Sequence, residues 1–104
     1  MSDLYRHIYR LVKQVPRGQV ISYGQLARMV GTTPRVVGFA LAALPERSDV
    51  PWQRVINSQG RVSPRRDSDR TALQQELLEA EGVVFDASRR IQQRVDGIVA
   101  TGDQ

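Results

Sequence analysis

Ser22-Tyr23-Gly24-Gln25-Leu26-Ala27-Arg28-Met29-Val30-Gly31-Thr32-Thr33-Pro34-Arg35-Val36-Val37-Gly38 decides how this chain folds. Ser22 followed three residues later by Gln25 has the form of a capping box, in which the two side chains satisfy backbone N–H groups at the start of a helix. Tyr23, Leu26, Ala27 and Val30 supply the apolar face of that helix, and Gly31 closes it. Thr33 then caps a further helix with Pro34 at its first position, where the missing N–H has no helical partner to lose. Val37, Ala40, Leu41 and Leu44 form its buried stripe, and Pro45 ends it. Two helices joined by a short turn containing glycine are the helix-turn-helix pattern.

Working outward toward the N-terminus, Leu4, Ile8, Leu11, Val12 and Val15 share one helical face, with Ser2 or Asp3 as N-cap. That supporting helix stops at the turn signal Pro16-Arg17-Gly18, and Val20-Ile21 is an extended connector. Toward the C-terminus, Val55-Ile56, Asn57-Ser58-Gln59-Gly60 and Arg61-Val62 read as strand, turn and strand, a small β-hairpin wing. Ser63 to Asp69 is a polar loop in which Asp67 or Asp69 caps the next helix. Leu73, Leu77 and Ala80 mark the inner side of that helix, which ends at Glu81-Gly82. Val83-Val84-Phe85 reads as one more short strand, and from Ala87 to Gln104 the chain grows polar, as a loosely held tail does. The expected fold class is α+β, mainly α: a winged helix-turn-helix domain over residues 1–98, with a flexible tail at 99–104.

The 104 residues suffice for one domain with its own core. The chain contains no cysteine, which removes disulfides, thiolate nucleophiles and thiolate zinc sites. His7 is the single histidine, so clustered imidazole ligands are excluded as well, and it reads as a packing or surface residue. No metal or cofactor is expected. No segment has membrane-spanning length and the N-terminus lacks the form of a signal peptide, so the expectation is a soluble cytoplasmic chain with no membrane partner. Fifteen basic residues, fourteen of them arginine, against eleven acidic ones give a net charge of +4. Such a balance attracts polyanions without specifying which, and arginine adds forked contacts to phosphate and stacking on bases.

The third helix is informative in what it leaves outside. Steps of about 100° per residue put Arg35 opposite the buried stripe, with Gly38, Phe39 and Ala42 on the same outer half. One charge among small and apolar groups is unusual for a solvated face. Either another element of the domain covers it, or it approaches a backbone or groove closely. Pro51-Trp52-Gln53-Arg54-Val55 is the other unusual stretch, since it holds the only tryptophan of the chain. By itself Trp52 reads equally well as ordinary core.

Ser22-Tyr23-Gly24-Gln25-Leu26-Ala27, Arg35-Val36-Val37-Gly38, Pro51-Trp52-Gln53-Arg54-Val55-Ile56-Asn57-Ser58-Gln59-Gly60 and Leu77-Leu78-Glu79-Ala80-Glu81-Gly82 together resemble the DNA-binding domain of the O6-alkylguanine-DNA alkyltransferases. More closely they resemble the alkyltransferase-like proteins, in which tryptophan replaces the acceptor cysteine of a Pro-Cys-His-Arg-Val motif. The resemblance runs from about residue 4 to 86, in the same order, and takes in the DNA-binding domain of the full alkyltransferases but not their first domain. It implies that Arg35 enters the duplex from the minor groove and fills the space of an extruded base. Gly38 belongs to the same Arg-x-Val-Gly motif. Tyr23 would crowd the 3′ phosphate and help rotate the nucleotide outward, and Trp52 would face the flipped alkylguanine from the cysteine's place. Arg66 would donate toward the modified base. Gln53 stands where the family has its base histidine, and Asn57 and Ser58 belong to the turn after the motif.

Alkyl transfer from oxygen to protein needs a thiolate activated by a nearby base. This chain lacks the thiol, and the amide of Gln53 takes no proton at neutral pH. Glu81, which matches the acid that orients the histidine, is left with nothing to orient and is expected at a helix end in a structural role. The expected function is therefore recognition without reaction: a non-enzymatic monomer that binds double-stranded DNA containing O6-alkylguanine and flips the nucleotide. The resemblance further implies hand-over to nucleotide excision repair proteins, with the protein on the nucleoid when bound to DNA. Departures from the family pattern are a turn about two residues shorter before Arg35, Leu44 in place of an asparagine, and Gln53 itself. The alternative is a winged-helix transcription regulator reading duplex DNA through its third helix. It would want hydrogen-bonding side chains along the outer face, which Gly38, Phe39 and Ala42 do not offer.

Overall fold

The computed structural model describes residues 3–45, 47–57, 60–61 and 68–92. Helix α1 spans Asp3–Lys13 and buries Ile8, Tyr9 and Val12, with Val15 buried just beyond it. Tyr9 lies outside the expected stripe because its ring is apolar but its tip is not. The hydroxyl donates to the Ala40 carbonyl at 2.6 Å, which satisfies the polar end inside the core. Leu4 is exposed and Leu11 only partly buried, so the stripe is rotated slightly toward Tyr9. His7 is exposed.

Strand β1, Ile21–Ser22, runs directly into helix α2, Tyr23–Val30, and the capping box is complete. The Gln25 N–H donates to Ser22 Oγ at 3.0 Å, and the Ser22 N–H donates to Gln25 Oε1 at 3.2 Å. Gly31 closes α2 at φ 87°, a left-handed conformation that suits glycine, and its N–H donates to the Ala27 carbonyl. Helix α3 spans Pro34–Ala42, capped by Thr33, whose Oγ1 accepts from the Val36 N–H at 3.3 Å. Val37, Ala40 and Leu41 are buried, and Leu44 packs at the edge. The helix-turn-helix thus stands as its caps and stripes require.

After a 3-10 turn at Trp52–Arg54, strand β2 covers Val55–Ile56. Its ladder partner is β1, in parallel, with Ile21 opposite Val55 and Ser22 opposite Ile56. Here the structure differs from the expected hairpin, in which Arg61-Val62 was the partner, and from the reading of Val20-Ile21 as a mere connector. The reversal itself is present. The Asn57 N–H donates to the Arg61 carbonyl at 3.0 Å and the Arg61 N–H to Asn57 Oδ1 at 3.1 Å. Arg61 then bridges to Arg90, and Val62 lies outside the described residues. Ile21, Val55 and Ile56 are almost wholly buried, and a segment apolar on both sides calls for cover on both faces.

The short parallel pair is the partition between two cores. Ile21 and Val55 face the α1–α3 side, whereas Val20 and Ile56 face a second cluster with Leu78, Val83 and Ile91, as the two-residue period of a strand dictates. Helix α4, Ser68–Ala80, covers that second side. Its inner face is not the expected one: Leu73 and Ala80 are exposed and Leu77 is half-buried, while Gln74 and Leu78 are buried. Gln74 is inside because its Nε2 donates to two carbonyls, Gln53 O at 3.1 Å and Val55 O at 2.8 Å. A hydropathy stripe cannot report a residue buried for its hydrogen bonds.

The segment read as the start of a loose tail is also tied down. Phe85 and Ile91 form an antiparallel bridge, and the turn between them is organised by Asp86, whose Oδ1 accepts from the Ser88 and Arg90 N–H groups. Ile91 is buried, and its N–H donates to the Gly60 carbonyl at 2.8 Å. Phe85 therefore does lie in a paired segment, whereas Ala87 to Gln92 is structure rather than tail. Residues 99–104 lie outside the described residues. Among the described residues no helix is long and apolar enough to cross a membrane.

Candidate nucleic-acid interface

The inner face of α3 is filled by Val37, Ala40 and Leu41, so rotation of about half a turn leaves Arg35, Phe39 and Ala42 outside, and all three are exposed. Among the described residues no element of the domain covers this face. A Cβ built at Gly38 would meet nothing within 4 Å. The guanidinium carbon of Arg35 lies 5.4 Å from the centroid of the Phe39 ring, one helical turn on. The outer face is thus a cation resting on an aromatic ring beside a gap where a side chain is missing.

Tyr23, the first residue of α2, and Trp52, the first of the 3-10 turn, are both half-buried and pack on the edge of the α1–α3 core. Trp52 is fixed through its backbone: its N–H donates to the Val50 carbonyl at 2.8 Å, and its carbonyl accepts from Val55. It is neither ordinary buried core nor a free surface ring. Asn57 is half-buried and closes the turn after the motif with its own side chain, while Ser58 and Arg66 lie outside the described residues.

Gln53 and Glu81 correct the expectation that the acid has nothing to orient. The Gln53 amide nitrogen donates to Glu81 Oε2 at 2.7 Å. The same carboxylate accepts from Arg54 through Nε at 3.0 Å and a terminal nitrogen at 3.1 Å, and from the Gly18 N–H at 3.0 Å. Arg54 also donates to the Val15 carbonyl at 2.9 Å. A Cβ at Gly18 would stand 3.1 Å from the Glu81 carbonyl oxygen, and Gly18 has φ 84°, so glycine answers both demands there. Burial pushes the Glu81 carboxyl upward, but the hydrogen bonds from Arg54, Gly18 and Gln53, with the Arg54 charge, outweigh it and hold the group below its usual range.

A carboxylate only accepts, so the contact fixes which end of the Gln53 amide faces Glu81. The carbonyl end of the amide is therefore the one that does not bond Glu81. Sequence alone does not reveal this link, because glutamine in a base's position reads as a failed base rather than as a donor. The signal was present in Arg54: an arginine directly before an apolar strand needs a buried partner.

The DNA-binding domain model of 6-O-methylguanine DNA methyltransferase matches residues 3–83. A DNA base-flipping protein of Vibrio parahaemolyticus is 46% identical over 86 residues, covering 80% of this chain and 83% of that one. Alkyltransferase-like protein 1 of Schizosaccharomyces pombe is 42% identical over 85 residues, 80% of this chain and 79% of its own. The structure of that Atl1 in complex with damaged DNA containing O6-carboxymethylguanine superposes with a TM-score of 0.78, covering 83% of this chain and 82% of the other at 41% identity. A methylated-DNA–protein-cysteine methyltransferase of Thermococcus sibiricus is 44% identical over 75 residues, but the match takes in only 40% of its length. The chain therefore belongs to the family of the 6-O-methylguanine DNA methyltransferase DNA-binding domain, and within it to the alkyltransferase-like members.

Proposed function

We propose that this chain recognises O6-alkylguanine in duplex DNA and does not repair it chemically. The observation that carries the reading is the Gln53–Glu81 contact at 2.7 Å beside Trp52. The acid that would orient a base is kept, but it holds an amide, and the residue at the nucleophile's position is an indole. Such a site retains its shape and loses its proton transfer and its thiolate together. With no cysteine anywhere in the 104 residues, there is no atom to accept an alkyl group as a thioether.

Binding alone is physically sufficient for a marker. Extruding a nucleotide costs a few kcal/mol, less where the lesion has already weakened the pair. Arg35 would refill the stack from the minor groove, Tyr23 would press on the phosphate, and the flipped base would lie against Trp52 with Gln53, Asn57, Ser58 and Arg66 around it. Gly38 would let the helix approach the sugar-phosphate backbone. The relatives with matching names, and Atl1 bound to O6-carboxymethylguanine DNA, support this reading. We place the protein in the cytoplasm as a monomer that hands the bent, marked site to nucleotide excision repair proteins.

The test is a titration at fixed salt against a short duplex carrying one O6-methylguanine and against its unmodified twin, followed by recovery of the DNA. The lesion duplex is expected to bind at least about tenfold more tightly, a difference of about 1.4 kcal/mol, and to be recovered unchanged. Equal affinities would end the lesion reading, and a demethylated guanine would make the protein an enzyme.

A further inference from the structure

Phe39 is 52% exposed, an unusual position for a phenyl ring on a helix whose inner face is already full. Leaving half of such a ring in water forgoes part of the stabilisation that its burial would bring. Among the described residues nothing in the packing accounts for it: the inner face of the helix is filled by Val37, Ala40 and Leu41, and a Cβ at Gly38 beside the ring would meet nothing within 4 Å. What the ring does touch is Arg35.

The contact follows from helical geometry. Residues four apart lie one above the other on a helix, and side chains lean toward the N-terminus, so a ring at 39 leans back under a side chain at 35. The 5.4 Å between guanidinium carbon and ring centroid is within the range of a cation–π pair. Among the described residues Arg35 makes no salt bridge or hydrogen bond, so the ring is the feature that narrows its conformations. An unrestrained arginine carries rotamer entropy that is lost on insertion into a duplex.

We infer that Phe39 is a positioning residue for Arg35, a prop that holds the guanidinium clear of the helix in the posture from which it enters the base stack. The inference rests on the proposed lesion recognition. Ala42, the next exposed residue on the face, is too small to share the role, and Gly38 leaves the space around ring and guanidinium open to DNA. A ring that merely trapped the guanidinium would give the opposite sign, because its removal would free Arg35 to insert.

The experiment measures binding of the O6-methylguanine duplex and its unmodified twin by the wild type, Phe39→Ala, Phe39→Leu, Phe39→Tyr, Arg35→Ala and the Arg35→Ala/Phe39→Ala pair, with a thermal melt of each. Phe39→Ala and Phe39→Leu are expected to weaken lesion binding about two- to five-fold, the scale of an exposed cation–π contact. Phe39→Tyr keeps the ring face and should bind as the wild type does, and all melts should agree closely. In the Arg35→Ala background the effect of Phe39→Ala should vanish. Unchanged or tighter lesion binding by both Phe39→Ala and Phe39→Leu would overturn the inference, and so would an equal loss in the Arg35→Ala background, which would make the ring a DNA contact in its own right. A wild type without lesion preference would instead bring down the proposed function, and this inference with it.

Discussion

On one side of the β1–β2 pair the core is made of helical stripes, with Ile8, Val12, Leu26, Val37 and Leu41 each repeating at the spacing of its own helix. On the other side it is made of single residues, Val20, Ile56, Leu78, Val83 and Ile91, each from a different segment. The first side announces itself in any window of a dozen residues. The second exists only once the chain has come together, and its innermost polar residue, Gln74, is one that hydropathy places outside. Burial that is local in sequence leaves a period; burial assembled from scattered segments leaves none.

Glu81 is where the two sides are fastened, since its carboxylate gathers Gly18 from before β1 and Gln53 and Arg54 from before β2. With side-chain exposures of 15% for Arg54 and 5% for Glu81, removing the acid strands a buried guanidinium. Glu81→Ala is therefore expected to cost about 3–5 kcal/mol in urea unfolding, the largest effect of any single change considered. A loss below about 1 kcal/mol would mean that water replaces the carboxylate easily. The pH dependence has a definite sign. Because the folded-state pKa is held below the ordinary carboxylate value, the stabilisation is fully present above that value, and it is lost as pH falls through the lower one. The gap between wild type and Glu81→Ala should thus narrow on acidification, and a gap independent of pH would contradict the assignment.

The α4 face gives a cleaner contrast, because the two readings disagree about neighbouring residues. Gln74→Leu should cost about 2–3 kcal/mol, since the Gln53 and Val55 carbonyls lose their shared donor. Leu73→Ser, on the side that hydropathy marks as inner, should stay within about 0.5 kcal/mol. The opposite order in a denaturant series would restore the face expected from sequence. Leu77, half-buried, sits at the border of both readings, which is why the stripe looked plausible.

The helix-turn-helix was legible down to its caps, because Ser22, Gln25, Gly31, Thr33 and Pro34 carry local chemistry that needs no distant partner, although the second of its helices ends at Ala42 rather than at Pro45. Tyr9, β1 and the Phe85–Ile91 bridge were not, since each is defined by a partner more than five residues away. The candidate site divides the same way. Arg35 on an outer face follows from period alone, whereas the grip of Glu81 on Gln53 spans 28 residues and depends on the fold. Ser58 and Arg66 remain expectations of the resemblance.

Gly38 offers the smallest effect and the one that best separates the needs of the fold from those of the interface. Glycine inside a helix is roughly 0.5–1 kcal/mol less favourable than alanine, Gly38 has no positive φ, and a Cβ there would touch nothing within 4 Å. The fold therefore gains by Gly38→Ala, and the melting temperature should rise. If the outer face of α3 meets DNA, the added methyl group stands at the surface where helix and backbone approach, beside Arg35 and Phe39. Affinity for lesion and unmodified duplexes should then fall together, because the clash precedes any flipping. A variant that is more stable and binds both duplexes as tightly as the wild type would put the contact surface elsewhere. A variant that is less stable would show that the gap is filled in the folded protein. Higher stability with weaker binding to both duplexes is the result that would assign Gly38 to the interface rather than to the fold.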